Sequence, residues 1–445
     1  MLNLSRALRI SNNQIVAFVG AGGKTSAMFQ AARELAPALV TTSTHIGEWQ
    51  AGQADRHFIW KLDAPMPEME AQLGSGVSLV TGSLDKETQR YRGLSLEQFE
   101  NLRQLAGYHA LPLLIEADGS RQKALKAPGE HEPVIPGFVD FVVVVAGLSA
   151  LNQPLSTDIV HRPEIFGRLS GLQAGETITP LALAKVLSHP DGGLKNIPPQ
   201  ARRVVLLNQA DTPELQSQAD EISQQLLPVF GAIALSALNP PPGVILAVKE
   251  NIAAIILAAG AASRFGQPKQ LLDFHGQPFV RAVAETALKA GLFPIIVVSG
   301  SYSEDVSAAV ADLPLQIIYN PNWKDGQSTS IKAGLRQLPP GGGGAIFLLV
   351  DQPQVSAELL RALVERHSQD LPAALAPYVF DQRANPLLFD RVTFADLLTI
   401  TGDTGGRAIF SKFSPRYLNW YDRRLLLDVD TPEDYQKLLG SESAL

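Results

Sequence analysis

Two short stretches of the sequence combine glycines with a lysine just after an apolar run, an arrangement suited to binding phosphate groups. Residues 257–269 read LAAGAASRFGQPK, and residues 20–26 read GAGGKTS. A glycine turn after a strand leaves backbone N–H groups and the positive end of a helix open to an anion. A nearby lysine or arginine then neutralises phosphate charge. Both stretches therefore predict nucleotide binding, although LAAG alone also fits a plain strand-to-helix turn.

The C-terminal half also places carboxylates directly after apolar runs, where they could complete a triphosphate site. Asp351 follows the run LLV, and Asp430 ends the run that begins at Leu425, with Asp428 two residues earlier as a reserve ligand. Because parallel strands end at one edge of a sheet, we expect Asp351 and Asp430 to lie beside Gly260. Carboxylate oxygens suit Mg²⁺ that is held partly by substrate phosphates. The stretch DTPED that starts at Asp430 also reads as a capped helix start, and the two interpretations are compatible.

The N-terminal glycine stretch departs from the strict P-loop, which would need a glycine where this chain has Phe18. Its shorter loop keeps the same physical parts: glycines that let the backbone approach a phosphate, a lysine for the β- and γ-phosphates, and a hydroxyl for Mg²⁺. These residues are Gly20, Gly22, Gly23, Lys24 and Thr25. We therefore favour nucleotide binding here over a plain turn.

Other polar residues of the N-terminal half follow predicted strands and could extend this site. Asp118 is a second candidate Mg²⁺ ligand, while Glu116 is either a ligand or a paired structural carboxylate. The run NQAD at Asn208 is similar to the guanine-reading motif of GTPases, but an ordinary turn capped by Asp211 fits it too. Further candidate ligand contacts, with plain surface positions as the alternative, are His131, His161 and Arg162.

The composition excludes several functional classes. The chain has 445 residues, 45% of them hydrophobic, a net charge of -7 and no cysteine. The lack of cysteine excludes disulfides, thiolate nucleophiles and cysteine-ligated metals, and the negative charge disfavours nucleic-acid binding. The start MLNLSRALRI lacks the apolar core of a secretion signal, and the longest apolar run, residues 141–148, is too short to span a bilayer. We expect a cytoplasmic protein with neither membrane nor nucleic-acid partners.

Apolar runs of strand length alternate with helical patterns along the chain, which predicts α/β units with mainly parallel sheets covered on both faces. The predicted strands are 14–19, 113–117, 141–146, 203–207, 253–258, 293–299, 315–319 and 345–350. The proline run at residues 239–243 is the best boundary signal, although length alone would allow three units. We expect two doubly wound domains, residues 1–248 and 249–445.

In combination, the C-terminal stretches resemble one known family. The similarity rests on LAAG, SRFG and PK within residues 257–269, DQP at 351, NP at 385, GD at 402 and DVDTPED at 428. It points to the MobA-like nucleotidyltransferases, and among them to the molybdenum cofactor cytidylyltransferase type, because Ala259 is typical of CTP users whereas GTP users carry LAGG. Ala384 departs from the glycine expected there. The resemblance implies transfer of CMP from CTP to molybdopterin with release of pyrophosphate, on a fold like that of nucleotide-diphospho-sugar transferases.

The same resemblance implies roles for individual residues. Arg264 and Lys269 would hold the β- and γ-phosphates, and Asp351 and Asp430 would hold Mg²⁺. The expected nucleotide contacts are Leu257, Ala258, Ala259, Gly260, Ser263, Gly300 and Ser328, the last with a helix cap as its alternative. The expected pterin contacts are Asn385 and Asp403.

Residues 1 to about 245 resemble the YqeC family, proposed maturation factors of selenium-dependent molybdenum hydroxylases. The matching stretches are GAGGKTS, TTSTHI, EADGSRQKALKAPGEHEPVIP, the pair His161–Arg162 and LNQAD. This implies a P-loop-NTPase-like domain that uses ATP or GTP near the molybdenum cofactor, with a molybdenum hydroxylase apoenzyme as a partner. Two other interpretations stay open: a transferase that acts on a sugar phosphate or another small phosphate, and a cofactor carrier or chaperone with a nucleotide-driven switch.

Overall fold

The protein consists of two compact units, Met1–Lys249 and Glu250–Leu445. The structure, a computed structural model, describes residues 2–240, 243–261 and 265–440. The interpretation of the proline run at 239–243 as the boundary signal is wrong. That run lies between two strands of the first sheet, Ala232–Ala237 and Val244–Glu250. A proline run ends a strand as readily as it ends a domain, so composition alone cannot distinguish the two cases.

The N-terminal unit is built on one nine-stranded sheet. Its strands are β1 (Ile15–Gly20), β2 (Ala38–Thr42), β3 (Arg56–Ile59), β4 (Val77–Thr81), β5 (Leu113–Glu116), β6 (Phe141–Gly147), β7 (Arg202–Asn208), β8 (Ala232–Ala237) and β9 (Val244–Glu250). They lie in the order β9-β8-β7-β6-β1-β5-β2-β4-β3. All pairs from β8 to β3 are parallel. The central strand β1 is flanked by β5 and β6, so the ends of these three strands meet at one edge.

Helices and small sheets complete the N-terminal unit. The helices are Leu4–Ala7, Lys24–Glu34, Glu48–Ala51, Leu96–Tyr108, Pro163–Ser170, Pro180–Ser188 and Pro213–Leu226. The two-residue strands Leu125–Lys126 and Val160–His161 pair with each other, as do Ile46–Gly47, Arg90–Tyr91 and Leu84–Asp85 in a three-stranded sheet. These small sheets matter because they carry residues that line the N-terminal cleft.

The C-terminal unit has a mixed eight-stranded sheet. Its strands are β10 (Ile252–Ala258), β11 (Ile295–Ser299), β12 (Gln316–Tyr319), β13 (Gly344–Leu349), β14 (Ala374–Val379), β15 (Gln382–Arg383), β16 (Leu387–Asp390) and β17 (Arg416–Asn419). The order is β12-β11-β10-β13-β16-β14-β15, and β17 pairs with β14. Pairs from β12 to β13 are parallel, whereas β16 is antiparallel to both its neighbours. The helices are Phe279–Lys289, Ser303–Ala309, Gln327–Leu335, Ala357–Asp370, Phe394–Leu397 and Pro432–Gly440.

The central strand β10 is buried on both of its faces. Ala254, Ile256 and Ala258 pack into one apolar cluster, whereas Ile255 and Leu257 pack into another. Since side chains alternate across a strand, the two clusters lie on opposite faces of the sheet. The predicted α/β class with two mainly parallel, helix-covered sheets is confirmed, and each of the eight strands predicted between residues 14 and 350 is present within two residues.

One predicted strand is absent. The run from Leu425 to Asp430, which we expected to form a strand, is a 3-10 helix over Arg423–Leu426 followed by extended chain. The hydrophobic residues of this run therefore do not join the sheet, although Leu425 and Val429 are buried against it. Within the described ranges, no helix combines the length and apolarity needed to cross a membrane.

Candidate functional site

The glycine turn after β10 opens into a cleft of about 910 Å³ at the carboxyl edge of the C-terminal sheet. Leu257, Ala259 and Gly260 line this cleft, whereas Ala258 is fully buried behind it. A side chain added at Gly260 would meet no atom of the described residues within 4 Å. This is what a backbone that receives a ligand requires. Two predicted contacts of the same turn, Ser263 and Arg264, lie outside the described residues.

Gln270 fixes the shape of this turn, a role that the sequence did not signal. Its amide nitrogen donates to the carbonyl oxygens of Ala258 at 3.0 Å and of Gly260 at 2.6 Å. Gln270 is 1% exposed, and its Oε1 has no hydrogen-bond partner among the described residues. The side chain therefore acts as a brace across both ends of the turn, because a buried amide bonded to two carbonyls restrains both of them.

Lys269 lies between the two carboxylates that were predicted to form the site. Its Nζ is 2.7 Å from Asp430 Oδ1 and 3.4 Å from Asp351 Oδ2. Asp351, Asp430 and Lys269 thus meet beside Gly260 in one cleft, as expected. Burial would lower the pKa of Lys269, but Asp430 and Asp351 outweigh it and raise this pKa. The lysine is consequently held as a cation inside the cleft.

Asp351 has the properties of a carboxylate that lacks one partner. Burial raises its pKa despite the adjacent Lys269, and Asp428 and Asp430 add to the rise. Its Oδ1 is buried and accepts no hydrogen bond from any residue that the structure describes. An unsatisfied, buried carboxylate oxygen beside a second carboxylate fits a divalent cation. Within the part of the chain that the structure describes, no cluster of three or more His, Cys, Asp or Glu could hold a metal, so such an ion would need further oxygen ligands from a substrate.

Asp428, the reserve metal ligand, is less well placed than Asp430 to bind a cation in the cleft. Gln352 donates to Asp428 Oδ1 at 2.6 Å, and Asp428 does not line the cleft. The N–H of Val429 donates to the carbonyl oxygen of Asp351, which holds the two acidic segments together. The capped-helix interpretation is also confirmed: the Thr431 hydroxyl accepts from the N–H of Asp434 at 3.3 Å, and the hydroxyl and N–H of Thr431 donate to Asp434 Oδ2. Asp430 is left to face Lys269.

The remaining predicted contacts divide into two groups. Asp403 lines the cleft and accepts from the N–H of Gln327 at the start of a helix, at 3.3 Å. Ser328 is buried in that helix, with 1% exposure, and does not line the cleft. Gly300 packs behind the turn, where a side chain would collide with Ala259. Asn385 likewise lies away from the cleft lining and accepts from Arg407 at 3.3 Å.

The glycine loop of the N-terminal unit needs its glycines for close approach to protein backbone. Gly20, Gly22 and Gly23 have φ of 95°, 79° and 108°, which other residues rarely adopt. A side chain at Gly20 would collide with Val145, and one at Gly22 with Gly147, both in the neighbouring strand β6. The loop thus packs tightly on the sheet, and the helix Lys24–Glu34 starts directly after it. Its outer side forms one wall of a cleft of about 1040 Å³.

Lys24 is neutralised by two carboxylates. Its Nζ is 2.8 Å from Asp118 Oδ1 and 3.3 Å from Glu116 Oε1, and the residue is 2% exposed. Burial opposes its charge, yet Asp118 and Glu116 raise its pKa above the usual value. A phosphate that reaches this lysine must therefore compete with the two carboxylates.

The two candidate metal ligands differ in what they contact. Asp118 accepts from the N–H of Gly20 and pairs with Lys24 and Lys126, and it does not line the cleft. Glu116 does line the cleft and accepts from the Thr25 hydroxyl at 3.1 Å. Gln50 donates to the same hydroxyl at 3.1 Å. Glu116 and Thr25 are thus better placed for an ion in the cleft than Asp118, whose oxygens already have partners.

Asn208 supports the loop from behind. Its amide donates to the carbonyl oxygen of Gly22 at 2.7 Å, and its Oδ1 accepts from Ser236 and from the N–H of Leu238. With these bonds made and 3% exposure, Asn208 cannot reach a base. The alternative turn capped by Asp211 is also wrong, since Thr212 caps the following helix. A guanine-reading motif is therefore not formed here.

His161 and Arg162 line the N-terminal cleft, whereas His131 is exposed and does not. Burial lowers the pKa of His161, and the neighbouring Arg162 contributes. Arg162 makes two bonds to Glu132, at 2.8 and 3.1 Å, and Lys126 lies 2.6 Å from the same carboxylate. Although burial opposes it, these two cations lower the pKa of Glu132 to about 2.

Comparisons with known proteins assign each unit to a family. The family model described as YqeC protein matches residues 16–164, and the model described as MobA-like NTP transferase domain matches residues 254–417. An uncharacterized YqeC protein of Escherichia coli is 34% identical over 220 residues, which is 48% of this chain and 82% of that protein.

Two further relatives match the C-terminal unit. Nicotine blue oxidoreductase of Paenarthrobacter nicotinovorans is 30% identical over 198 residues, which is 42% of this chain and 96% of that protein. A probable molybdenum cofactor guanylyltransferase of Bacillus cereus is 29% identical over 137 residues, which is 31% of this chain and 66% of that protein. The chain is a fusion that belongs to the YqeC family through its N-terminal unit and to the MobA-like NTP transferases through its C-terminal unit.

Proposed function

We propose that the C-terminal unit transfers CMP from CTP to molybdopterin and releases pyrophosphate. The observation that carries this proposal is the position of Lys269 between Asp351 and Asp430, beside a glycine turn that is open to a ligand. A lysine and two carboxylates at such a turn suit a triphosphate, whose transfer requires positioning and charge stabilisation more than covalent help. The relative named as a molybdenum cofactor guanylyltransferase supports the acceptor. Ala259 favours CTP over GTP, by resemblance to CTP-using members of the family.

In this reaction an oxygen of the acceptor's terminal phosphate attacks the α-phosphorus of CTP, and the bond to the bridging oxygen breaks as pyrophosphate leaves. Lys269 would exchange a carboxylate partner for a phosphate oxygen and stabilise the charge that grows on the leaving group. Asp351 and Asp430 would hold a divalent cation such as Mg²⁺, which neutralises phosphate charge when bound. Gln270 keeps the turn in the shape that receives the nucleotide. Arg264 remains a predicted phosphate ligand.

The decisive experiment offers the full-length protein four substrate pairs: CTP or GTP with molybdopterin, and CTP or GTP with a set of sugar phosphates. Pyrophosphate release is measured with Mg²⁺ present. We expect release with CTP and molybdopterin, and its loss in Asp351→Asn but not in the control Asp305→Asn, which changes an exposed acid of the helix Ser303–Ala309. Faster reaction with GTP would refute the base preference. Release only with a sugar phosphate would refute the acceptor, and release with no pair would refute the activity.

For the N-terminal unit, we propose that the loop Gly20–Ser26 binds ATP or GTP. The proposal is supported by the glycine loop, Lys24 and the Thr25–Glu116 pair, which line one cleft at the carboxyl edge of the sheet. A fluorescent analogue of each nucleotide tests it, and we expect Lys24→Ala to weaken binding. Lys185→Ala is the matched control, because Lys185 lies on the helix Pro180–Ser188 and not in the cleft lining. Equal affinities in the two variants would place the nucleotide elsewhere.

A further inference from the structure

A second loop of the N-terminal unit crosses directly over the glycine loop. The N–H of Gly22 donates to the carbonyl oxygen of Lys123 at 3.0 Å, and the N–H of Gly147 donates to that of Ala124 at 2.9 Å. A side chain at Gly22 would also collide with the Ala124 carbonyl. The loop that follows Asp118 is therefore anchored by its backbone to the two strand ends that shape the proposed phosphate site.

This crossing loop makes a tight turn that presents an arginine. The N–H of Lys123 donates to the carbonyl oxygen of Ser120 at 3.1 Å, and between them Arg121 and Gln122 have φ of 49° and 60°. Two consecutive non-glycine residues in the left-handed region cost free energy, on the order of 1 kcal/mol each. Both residues are exposed, and both line the cleft together with Lys24. The anchored turn thus holds Arg121 at the mouth of the proposed triphosphate site.

Arg121 differs from Lys24 and Arg162, two other cations of the cleft lining, because it forms no ion pair with the described residues. Lys24 pairs with Glu116 and Asp118, and Arg162 pairs with Glu132. The Arg121 guanidinium forms no hydrogen bond or ion pair with any residue in 2–240, 243–261 or 265–440. A cation whose backbone is held in place, and which pairs with no carboxylate, can stabilise negative charge that develops on a substrate in the transition state. It does so at little cost because no existing ion pair has to be broken first.

We propose that the N-terminal unit hydrolyses the nucleoside triphosphate bound at its glycine loop, and that Arg121 is a catalytic residue that stabilises the charge on the transferred γ-phosphoryl group. The inference rests on the proposed nucleotide binding by this unit. A water oxygen bonds to the γ-phosphorus while the bond from that phosphorus to the β,γ-bridging oxygen breaks. The products are the nucleoside diphosphate, inorganic phosphate and one proton released to solvent. Arg121 acts as an arginine finger supplied by the same chain, a role that typically raises turnover by about 10³- to 10⁵-fold.

The test uses the full-length protein with ATP and GTP, in Mg²⁺, and compares Arg121→Ala and Arg121→Lys with the control Arg168→Ala. Arg168 is an exposed arginine on the helix Pro163–Ser170 of the same unit. Three quantities are measured: affinity for the β,γ-imido analogues, the rate of orthophosphate release, and affinity for the diphosphate with aluminium fluoride, which mimics the transferred phosphoryl group. Orthophosphate separates this activity from the C-terminal unit, which releases pyrophosphate.

We expect Arg121→Ala to lower orthophosphate release by about 10³-fold while the affinity for the imido analogues stays within about threefold. Binding of the aluminium fluoride complex falls in parallel with the rate, and added guanidinium restores part of the rate. Arg121→Lys recovers little, because lysine lacks the planar fork of donors. Arg168→Ala behaves as wild type.

Other results overturn the inference and are distinguishable from one another. A wild-type protein that binds neither ATP nor GTP removes the proposed nucleotide site and the inference together. Binding without orthophosphate release removes the hydrolytic activity but leaves the site. Release that is unchanged in Arg121→Ala removes the catalytic role. An equal loss of imido-analogue affinity and rate would make Arg121 a ground-state binding residue, which also contradicts the proposal.

Discussion

The position of Lys269 between two carboxylates predicts the result of removing its charge while keeping its bulk. In Lys269→Met, Asp430 Oδ1 loses a partner at 2.7 Å and Asp351 Oδ2 one at 3.4 Å. The formal charge of this group of three side chains changes from -1 to -2, because one cation and two anions become two anions. The nucleotide loses one charge-assisted bond to phosphate, which contributes about 1.5–3 kcal/mol. We therefore expect kcat/KM for nucleotidyl transfer to fall by about tenfold to 150-fold.

The extra negative charge should favour binding of the divalent cation, in contrast to its effect on nucleotidyl transfer. With Lys269 absent, Asp351 and Asp430 face the cation without a competing positive charge, so Mn²⁺ binding should be as tight as in wild type or tighter. Pyrophosphate release measures the first effect, and electron paramagnetic resonance of Mn²⁺ measures the second. Lys289→Met, at the end of the helix Phe279–Lys289 and 68% exposed, is the control. Transfer within twofold of wild type, or weaker Mn²⁺ binding, would refute the assigned role of Lys269.

Three further predictions concern residues whose partners are fixed by the structure. Gln270→Glu replaces the donor that holds two carbonyls of the nucleotide turn with a third acceptor, so nucleotide affinity should fall by about tenfold or more. The control Gln337→Glu changes an exposed residue just after the helix Gln327–Leu335, outside the cleft lining, and should not change the affinity. Asp118→Asn removes the negative charge that pairs with the buried side chains of Lys24 and Lys126. The free energy of unfolding of the N-terminal unit, measured by urea denaturation, should therefore fall by about 3–5 kcal/mol. A loss under 1 kcal/mol would contradict a stabilising role of these ion pairs. Burial opposes the charge of Glu132, yet Arg162 and Lys126 lower its pKa from 4.5 to about 2, so its ion pairs contribute full stability above pH 4.5 and this contribution is lost as the pH falls towards 2. Glu132→Gln should therefore flatten the acid limb of the stability curve, and an unchanged limb would show that Glu132 is not the group responsible.

The strands were predictable because their signal is local. A continuous apolar run such as that of β6 indicates a strand buried on both faces, and the structure has a strand at each of the eight runs that we identified between residues 14 and 350. The strand β16 was missed because its apolar run is only three residues long before Asp390, which is too short to indicate a strand by itself. The run after Leu425 was misread for a different reason: its apolar residues are buried by packing against the sheet, not by joining it. An apolar run indicates that its residues are buried, but it does not indicate whether they are buried within a strand or by packing against one.

The site residues show the same division between local and distant signals. Lys269 and Asp351 could be identified because the first follows the glycine turn and the second follows β13, at the same edge of the sheet. Asp430 lines the same cleft, although the strand that we expected before it is not formed. Gln270 and Gln50 could not, because an amide that braces a loop has no sequence pattern of its own. The sequence also does not indicate which of Glu116 and Asp118 is better placed to bind a metal ion. Glu116 ends β5 and faces the cleft, whereas Asp118, two residues later, is turned towards the N–H of Gly20 and two lysines.

In both units a lysine of the cleft is paired with two carboxylates. A lysine that is to meet a phosphate in a partly dry cleft cannot be left without a counter-charge, because an uncompensated buried charge is strongly destabilising. Lys24 is balanced by Glu116 and Asp118, and Lys269 by Asp351 and Asp430. The carboxylates that would hold a divalent cation in the proposed sites, Glu116 in one unit and Asp351 with Asp430 in the other, are therefore also groups that pair with the lysine before any ligand binds. A triphosphate that binds together with a divalent cation can replace these ion pairs at once. The lysine then pairs with a phosphate, and the carboxylates bind the cation. A free phosphate would leave the acids unpaired, so these pairings favour the metal–nucleotide complex over either component alone.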